Sequence, residues 1–238
     1  MNTLVLTAHG SRDPRSGANA EAVADRLSRM RPDLGVRLAF LELNAPNFVD
    51  VLAGLPDSRR AVVAPFLLAS AYHARLDIPQ QIADARAHGV RQADVLGEDD
   101  RLVSVLRERL AEVGVSPHDD DLGVMVVAIG SSNLAANART RKVAGRLAAG
   151  TQWAAATTAF ATRPEASVAS AADQLRRRGA RRLVIAPWFL APGFITDGVS
   201  KFARDNDIAM AAPLGSHRLV AETVLDRYDE ALADDAAA

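Results

Sequence analysis

Four blocks from the first half of the chain recur, in the same order, in the second half. LVLTAHGS (Leu4 to Ser11) is answered by VMVVAIGS (Val124 to Ser131), and VADRL (Val23 to Leu27) by VAGRL (Val143 to Leu147). Further on, RAVVAPFLLA (Arg60 to Ala69) is answered by RLVIAPWFLA (Arg182 to Ala191), and VLGEDDRLV (Val95 to Val103) by PLGSHRLV (Pro213 to Val220). Ordered recurrence at a near-constant spacing constrains the fold more than composition does, because whatever one half builds the other must build too. We read an internal duplication: an N-terminal unit over 1–114, a linker over 115–121 and a C-terminal unit over 122–238. The joint, GVSPHDDD, has the proline and charge content of an exposed connection.

Each half alternates two kinds of stretch. Short apolar runs at Thr3–Ala8, Val36–Leu41, Ala61–Leu68 and Ala93–Leu96 read as strands. In the second half Val124–Ile129, Ala155–Phe160, Leu183–Leu190 and Ile208–Leu214 play that part. Between them apolar residues fall at helical spacing, as at Ala20, Val23, Ala24, Leu27 and Met30. Runs that are apolar on both faces belong to parallel strands covered by helices. Strand–helix alternation with right-handed crossovers predicts two doubly wound α/β units, each with a four-stranded parallel sheet, and a cleft between them. Ligands are expected beyond the carboxyl ends of the strands.

Composition narrows the partners. The formal charge is −1, so no overall field recruits nucleic acid, and the arginine-rich LRRRGARR (Leu175 to Arg182) reads as a solvated helix end. The absence of cysteine excludes a disulfide framework, thiolate metal sites and a cysteine nucleophile. MNTLVLTAHG lacks a basic start and turns polar by His9, so it reads as a first strand and not as a signal peptide. No apolar run approaches the roughly 20 residues that span a bilayer, so a cytoplasmic protein without membrane contact is expected.

The chemistry gathers in the first half. His9 stands where the first strand ends, Glu42 where the second ends, and His73 in the loop after the third. Two imidazoles and a carboxylate brought to one sheet edge suit Fe²⁺, Co²⁺ or Ni²⁺ and can exchange protons near neutral pH. Taken singly, each has a plainer reading: a loop histidine is ordinarily a hydrogen-bonded structural residue, and Glu42 a solvated charge. The repeat supplies a control. His9 aligns with Ile129 and His73 with Ile195, and AFATRPEA offers no acid in place of Glu42. All three candidates are missing together from the copy, which is the pattern left by one site lost as a unit. Gly10 permits a tight turn, and Ser11 to Asp13 open the next helix, whose amides suit an anion. His88, His118 and His217 read as structural or exposed. No G-x-G-x-x-G or G-x-x-x-x-G-K-[ST] string follows any strand, which disfavours a nucleotide or flavin cofactor.

LTAHGSRDP followed by APFLLASAYHARLDIP closely resembles the sirohydrochlorin cobaltochelatase and ferrochelatase family, the class II chelatases of sirohaem and cobalamin synthesis. The likeness covers essentially the whole chain, as in two-copy members. It implies a lyase that inserts Fe²⁺ or Co²⁺ into sirohydrochlorin, with the tetrapyrrole between two α/β lobes. It further implies that His9, Glu42 and His73 are catalytic, with His9 and His73 holding the metal. The divalent ion is then a substrate, and no cofactor is bound permanently. Sirohydrochlorin carries many carboxylates, so Arg12 and Arg75 are the candidate cations, with Ser11 and Tyr72 as further substrate contacts. A non-catalytic divalent-metal carrier would use the same histidines. The resemblance fits a monomer and a homo-oligomer equally.

Overall fold

In a computed structural model of the chain, residues 2–55, 61–69, 73–85, 89–163, 165 and 167–236 are described. Strands β1 (Thr3–Ala8), β2 (Gly35–Phe40), β3 (Ala61–Pro65) and β4 (Val90–Gln92) form one parallel sheet in the order β2-β1-β3-β4. Helices α1 (Pro14–Met30), α2 (Phe48–Ala53) and α3 (Ile78–Asp84) connect them. A second parallel sheet, in the order β6-β5-β7-β8, is built from β5 (Leu122–Ala128), β6 (Ala155–Phe160), β7 (Arg182–Pro187) and β8 (Ala209–Met210). Its connections are α5 (Leu134–Ala148), α6 (Val168–Arg177) and α7 (Phe194–Asp205). The strand orders are the same, as the repeat requires.

The local causes are legible in the residues. β1 and β5 are buried along their whole length, because each lies inside its sheet with helices over both faces. α1 begins at Pro14, whose missing N–H costs nothing in a first turn, after the N-cap Asp13. Its Ala20, Val23 and Leu27 form the buried stripe. Asn133 caps α5 by accepting from the amides of Ala135 and Ala136, and Ser167 caps α6 through the amide of Ser170. One face of the first sheet buries Val5, Ala39, Phe48, Leu52, Val63 and Ile78 together. The corresponding cluster of the second joins Met125, Val127, Leu175, Ile185, Phe189 and Val199. Each of the larger side chains here contributes about 1.5–3 kcal/mol of transfer free energy. Among the described residues no helix is long and apolar enough to cross a membrane.

The structure departs from the sequence reading at the fourth strand of each half, that of the second half being only Ala209–Met210 within the expected Ile208–Leu214. The fourth strand of the first half lies at Val90–Gln92, not at Ala93–Leu96. The Ala93 amide still bonds to the Val63 carbonyl at 2.8 Å, and that of Leu96 to Leu67 at 3.0 Å. The apolar run is therefore the extended exit from the strand, buried because it continues alongside β3.

The last helix of each half also packs away from its own sheet. α4 (Asp100–Glu112) lies against β7 and α5, and α8 (Arg218–Ala236) against β3 and α1. The compact units are consequently Met1–Asp99 with Ser216–Ala238, and Asp100–Gly215, whereas the repeat divides at 115–121. In the first unit Arg227 of α8 pairs with Asp99 at 3.2 Å and donates to the Val95 and Leu96 carbonyls. In the second, Arg146 of α5 pairs with Asp100 at the start of α4.

Candidate functional site

β1 lies between β2 and β3, so the loops that leave these three strands emerge together at the carboxyl edge of the first sheet. The β2 ladder runs on past its last strand residue: the amides of Leu41 and Glu42 bond to the carbonyls of Ala8 and His9, at 3.0 and 3.1 Å. This register sets Glu42 directly beside His9. The side chains meet, His9 Nδ1 standing 3.1 Å from Glu42 Oε1, with exposures of 37% and 53%. At this separation the ring nitrogen and the carboxylate oxygen lie within reach of a shared proton.

His73 begins a single π-helical turn, His73–Asp77, that runs into α3. Such turns are uncommon and concentrate at functional sites. The side chains of His73 and Arg75, and the whole of Tyr72 and His88, lie outside the described residues. Among the described side chains, no three histidine or acidic groups stand close enough to share a metal ion. The structure thus places His9 with Glu42 and sets the His73 backbone after the neighbouring strand.

The loop between β1 and α1 is tightly bonded. Ser11 Oγ accepts from the Asp13 amide at 3.0 Å, and Asp13 Oδ1 from the Arg15 amide at 3.0 Å. The Ser11 amide donates to Asn44 Oδ1 at 2.6 Å. Of the amides expected to suit an anion, those of Ser11 and Asp13 are thus already engaged by neighbouring side chains. The Ser11 hydroxyl keeps its proton to donate, and Arg12 is exposed to solvent. Asp13 is buried, and its bonds to Arg15 hold its carboxyl below the usual carboxylate range. His118 is exposed in a turn, while His217 Nδ1 accepts from the Leu219 amide at the start of α8.

The second unit repeats this loop almost bond for bond. Ser131 Oγ accepts from the Asn133 amide, and Asn133 from Ala135. The Thr162 amide bonds to the Ile129 carbonyl at 3.0 Å, as the Glu42 amide does to His9. Thr162 therefore stands where Glu42 stands in the first unit, and Ile129 where His9 stands. Ile195 lies as far beyond β7 as His73 lies beyond β3. At this sheet edge Ile129, Leu134, Phe194 and Ile195 are exposed, Phe194 by 67%, whereas Trp188 and Phe189 are buried in the core.

Two residues escaped the sequence reading, Asn44 and Leu43, and Asp13 was read only as part of the helix opening. Asparagine and aspartate between periodic segments read only as turn or cap residues, so no signal separates these from others.

The sequence profile of the CbiX family matches residues 3–113 and 123–231, one copy in each half. A sirohydrochlorin ferrochelatase of Priestia megaterium is 24% identical, over 84% of this chain and 77% of that protein. A sirohydrochlorin cobaltochelatase of the same organism is 26% identical, over 98% of this chain and 80% of that protein. The solved structure of SirB from Bacillus subtilis with Fe3+ superposes with a TM-score of 0.80 at 21% identity, covering 100% of this chain and 98% of that one.

Proposed function

The chain belongs to the CbiX family, and from that premise we propose that it is a tetrapyrrole metal chelatase, a lyase that inserts a divalent ion into sirohydrochlorin. Fe²⁺ and Co²⁺ are the substrate metals of this reading, serving sirohaem or cobalamin synthesis. The relatives that match along most of the chain carry the names of both activities. The observation that carries the reading is the contact of His9 with Glu42 at the end of β1.

The overall reaction exchanges one M²⁺ for two pyrrole N–H protons. In our reading His9 and His73 present neutral imidazole nitrogens to the incoming ion, since only the unprotonated ring has a lone pair to give. As each metal–pyrrole bond forms, a proton must leave the macrocycle, and the His9–Glu42 pair supplies acceptors within one hydrogen-bond reach of each other. Arg12, Arg75, Ser11 and Tyr72 are assigned to the substrate's carboxylates and ring. The duplicated units, 1–114 and 122–238 joined by 115–121, share one ancestor, and only the first copy keeps the ligands. A cytoplasmic protein with no resident cofactor, acting without nucleic acid or membrane, completes the proposal.

The test is an anaerobic incubation with sirohydrochlorin and either Fe²⁺ or Co²⁺, followed in the visible spectrum. Insertion should be seen with at least one ion, and His9→Ala and His73→Ala should each remove most of it while leaving the far-UV circular dichroism unchanged. Metal uptake without any change in the tetrapyrrole spectrum would instead make the chain a carrier.

A further inference from the structure

We propose that Asn44 is a positioning residue, which holds Glu42 in place beside His9 by bonding the β2 exit loop to the β1–α1 loop. The inference rests on the reading of His9 and Glu42 as part of the metal-insertion site, and it assigns a role to a side chain which that reading leaves out.

The geometry is unusual along the whole segment. The Asn44 amide donates to the Glu42 carbonyl at 2.8 Å, closing a three-residue turn around Leu43. Leu43 has φ 65°, the left-handed region that a bulky side chain rarely enters, and its side chain is exposed. This is a γ-turn of the rarer, strained hand. Nothing about an exposed leucine favours such a backbone, so the conformation must be imposed by neighbouring contacts. Two contacts do so. The Asn44 side chain accepts from the Ser11 amide at 2.6 Å, across 33 positions of sequence. The Glu42 carbonyl, turned inward by the γ-turn, lies over Gly10, where a Cβ would stand 1.8 Å from its oxygen. Gly10 and Asn44 thus grip the two sides of Glu42, one through its carbonyl and the other through the turn that follows.

The second unit shows what the same loops do when no carboxylate has to be held. Gly130, with φ 94°, matches Gly10 with φ 98°. The three atoms nearest to a Cβ there belong to side chains, at 3.1 to 3.2 Å, and no carbonyl is pressed against it as at Gly10. The Ser131 amide again finds an asparagine oxygen, but that of Asn137 in α5, at 2.9 Å. That tie runs to the helix which follows, and the β6 exit loop is joined to the β5–α5 loop by a different residue, Arg163, whose guanidinium donates to the Ser131 carbonyl. That exit is an ordinary turn, with the Arg163 amide bonding to the Phe160 carbonyl at 3.3 Å, and Arg163 is not among the described residues with positive φ. Both copies therefore join the two loops, but only the copy with the candidate ligands does so through an asparagine that closes a left-handed turn directly after the carboxylate residue. Joining the loops is architecture common to both copies, whereas the strained turn that sets the Glu42 backbone is found in the first alone among the described residues.

The test combines substitution with a double-mutant cycle. Asn44→Ala and Asn44→Leu remove the acceptor, and Asn44→Asp keeps an oxygen at the same reach. The first two should lower the turnover of metal insertion roughly 10- to 100-fold, the range for partners that orient metal-site groups, while Asn44→Asp should stay near the wild-type value. In a Glu42→Ala background the same substitutions should change turnover no further, because Asn44 acts through Glu42. Equal losses in both backgrounds, or an Asn44→Leu protein as active as Asn44→Asp, overturn the proposal. If Asn44→Ala does not fold, the comparison of leucine with aspartate decides alone. A crystal structure of Asn44→Leu separates this proposal from the assignment of activity. Withdrawal of Glu42 from His9 supports the positioning role even if no tetrapyrrole is metallated, and persistence of the 3.1 Å contact ends it even if insertion is fast.

Discussion

At the scale of single residues, the first loop shows how a buried charge can be both structural and pH-sensitive. Asp13 caps α1 and receives the Arg15 guanidinium at 2.9 Å on Oδ1 and 2.5 Å on Oδ2. The side-chain bond to Arg15 is the main cause of its lowered pKa, opposed by desolvation. Because the folded pKa lies below the unfolded value of about 3.9, the carboxylate's stabilisation is fully present above about pH 4 and is lost as the pH falls through the folded value. Asp13→Asn keeps the capping oxygen and removes the charge. Its urea midpoint is expected to fall below that of the wild type at pH 7, with the gap closing as both are titrated toward pH 2; a gap independent of pH would refute the linkage. The candidate set His9, Glu42 and His73 could be drawn from the sequence because each ends or follows a recognisable strand and each has a counterpart without imidazole or carboxylate in the copy. Asn44 was not, because its meaning depends on an amide 33 positions away and on the φ of Leu43, neither of which has a local signature.

At the scale of elements, the repeat and the strand–helix alternation carried most of the fold. β1 and β6 were read to the residue, since their apolar runs coincide with their ladders. β4 was displaced because burial and ladder pairing part company there: Ala93 and Leu96 are buried beyond the strand. The exchange of α4 and α8 between sheets was illegible for a different reason. An amphipathic helix shows the face it buries but not the sheet that covers it. The packing predicts an outcome that sequence order does not. Leu106 of α4 is fully buried, and Leu106→Ala should cost about 2–5 kcal/mol. Under native conditions, amide exchange should quicken in β5 and β7, which belong with α4, before it does in β1 and β3. Faster exchange in β3 with β7 unchanged would return α4 to the sheet it follows in sequence.

At the scale of the whole molecule, two copies of one fold should hold one metal site. The second unit has Ile129, Thr162 and Ile195 at the places of His9, Glu42 and His73, and none of these offers an imidazole or carboxylate. Cobalt(II), followed by its visible d–d bands, should therefore titrate to one ion per chain, and His9→Ala should abolish that site. Two equivalent sites would refute the division of roles. What the second unit does offer at the same sheet edge is apolar surface, with Phe194 and Ile129 exposed by 67% and 47%. Exposed large apolar side chains gathered at the ligand-binding edge of a parallel sheet suit a flat, hydrophobic ring. Phe194 contributes little to its own core, so Phe194→Ala should leave the melting temperature nearly unchanged, as substitutions away from packed sites do. If the ring covers it, the same change should remove up to about 2–3 kcal/mol of tetrapyrrole binding, while the affinity for cobalt alone stays as it was. The measurement is a pair of titrations, sirohydrochlorin against protein and Co²⁺ against protein, for wild type and variant. Equal weakening in both would make Phe194 a structural residue, and no weakening in either would leave the apolar edge outside substrate recognition.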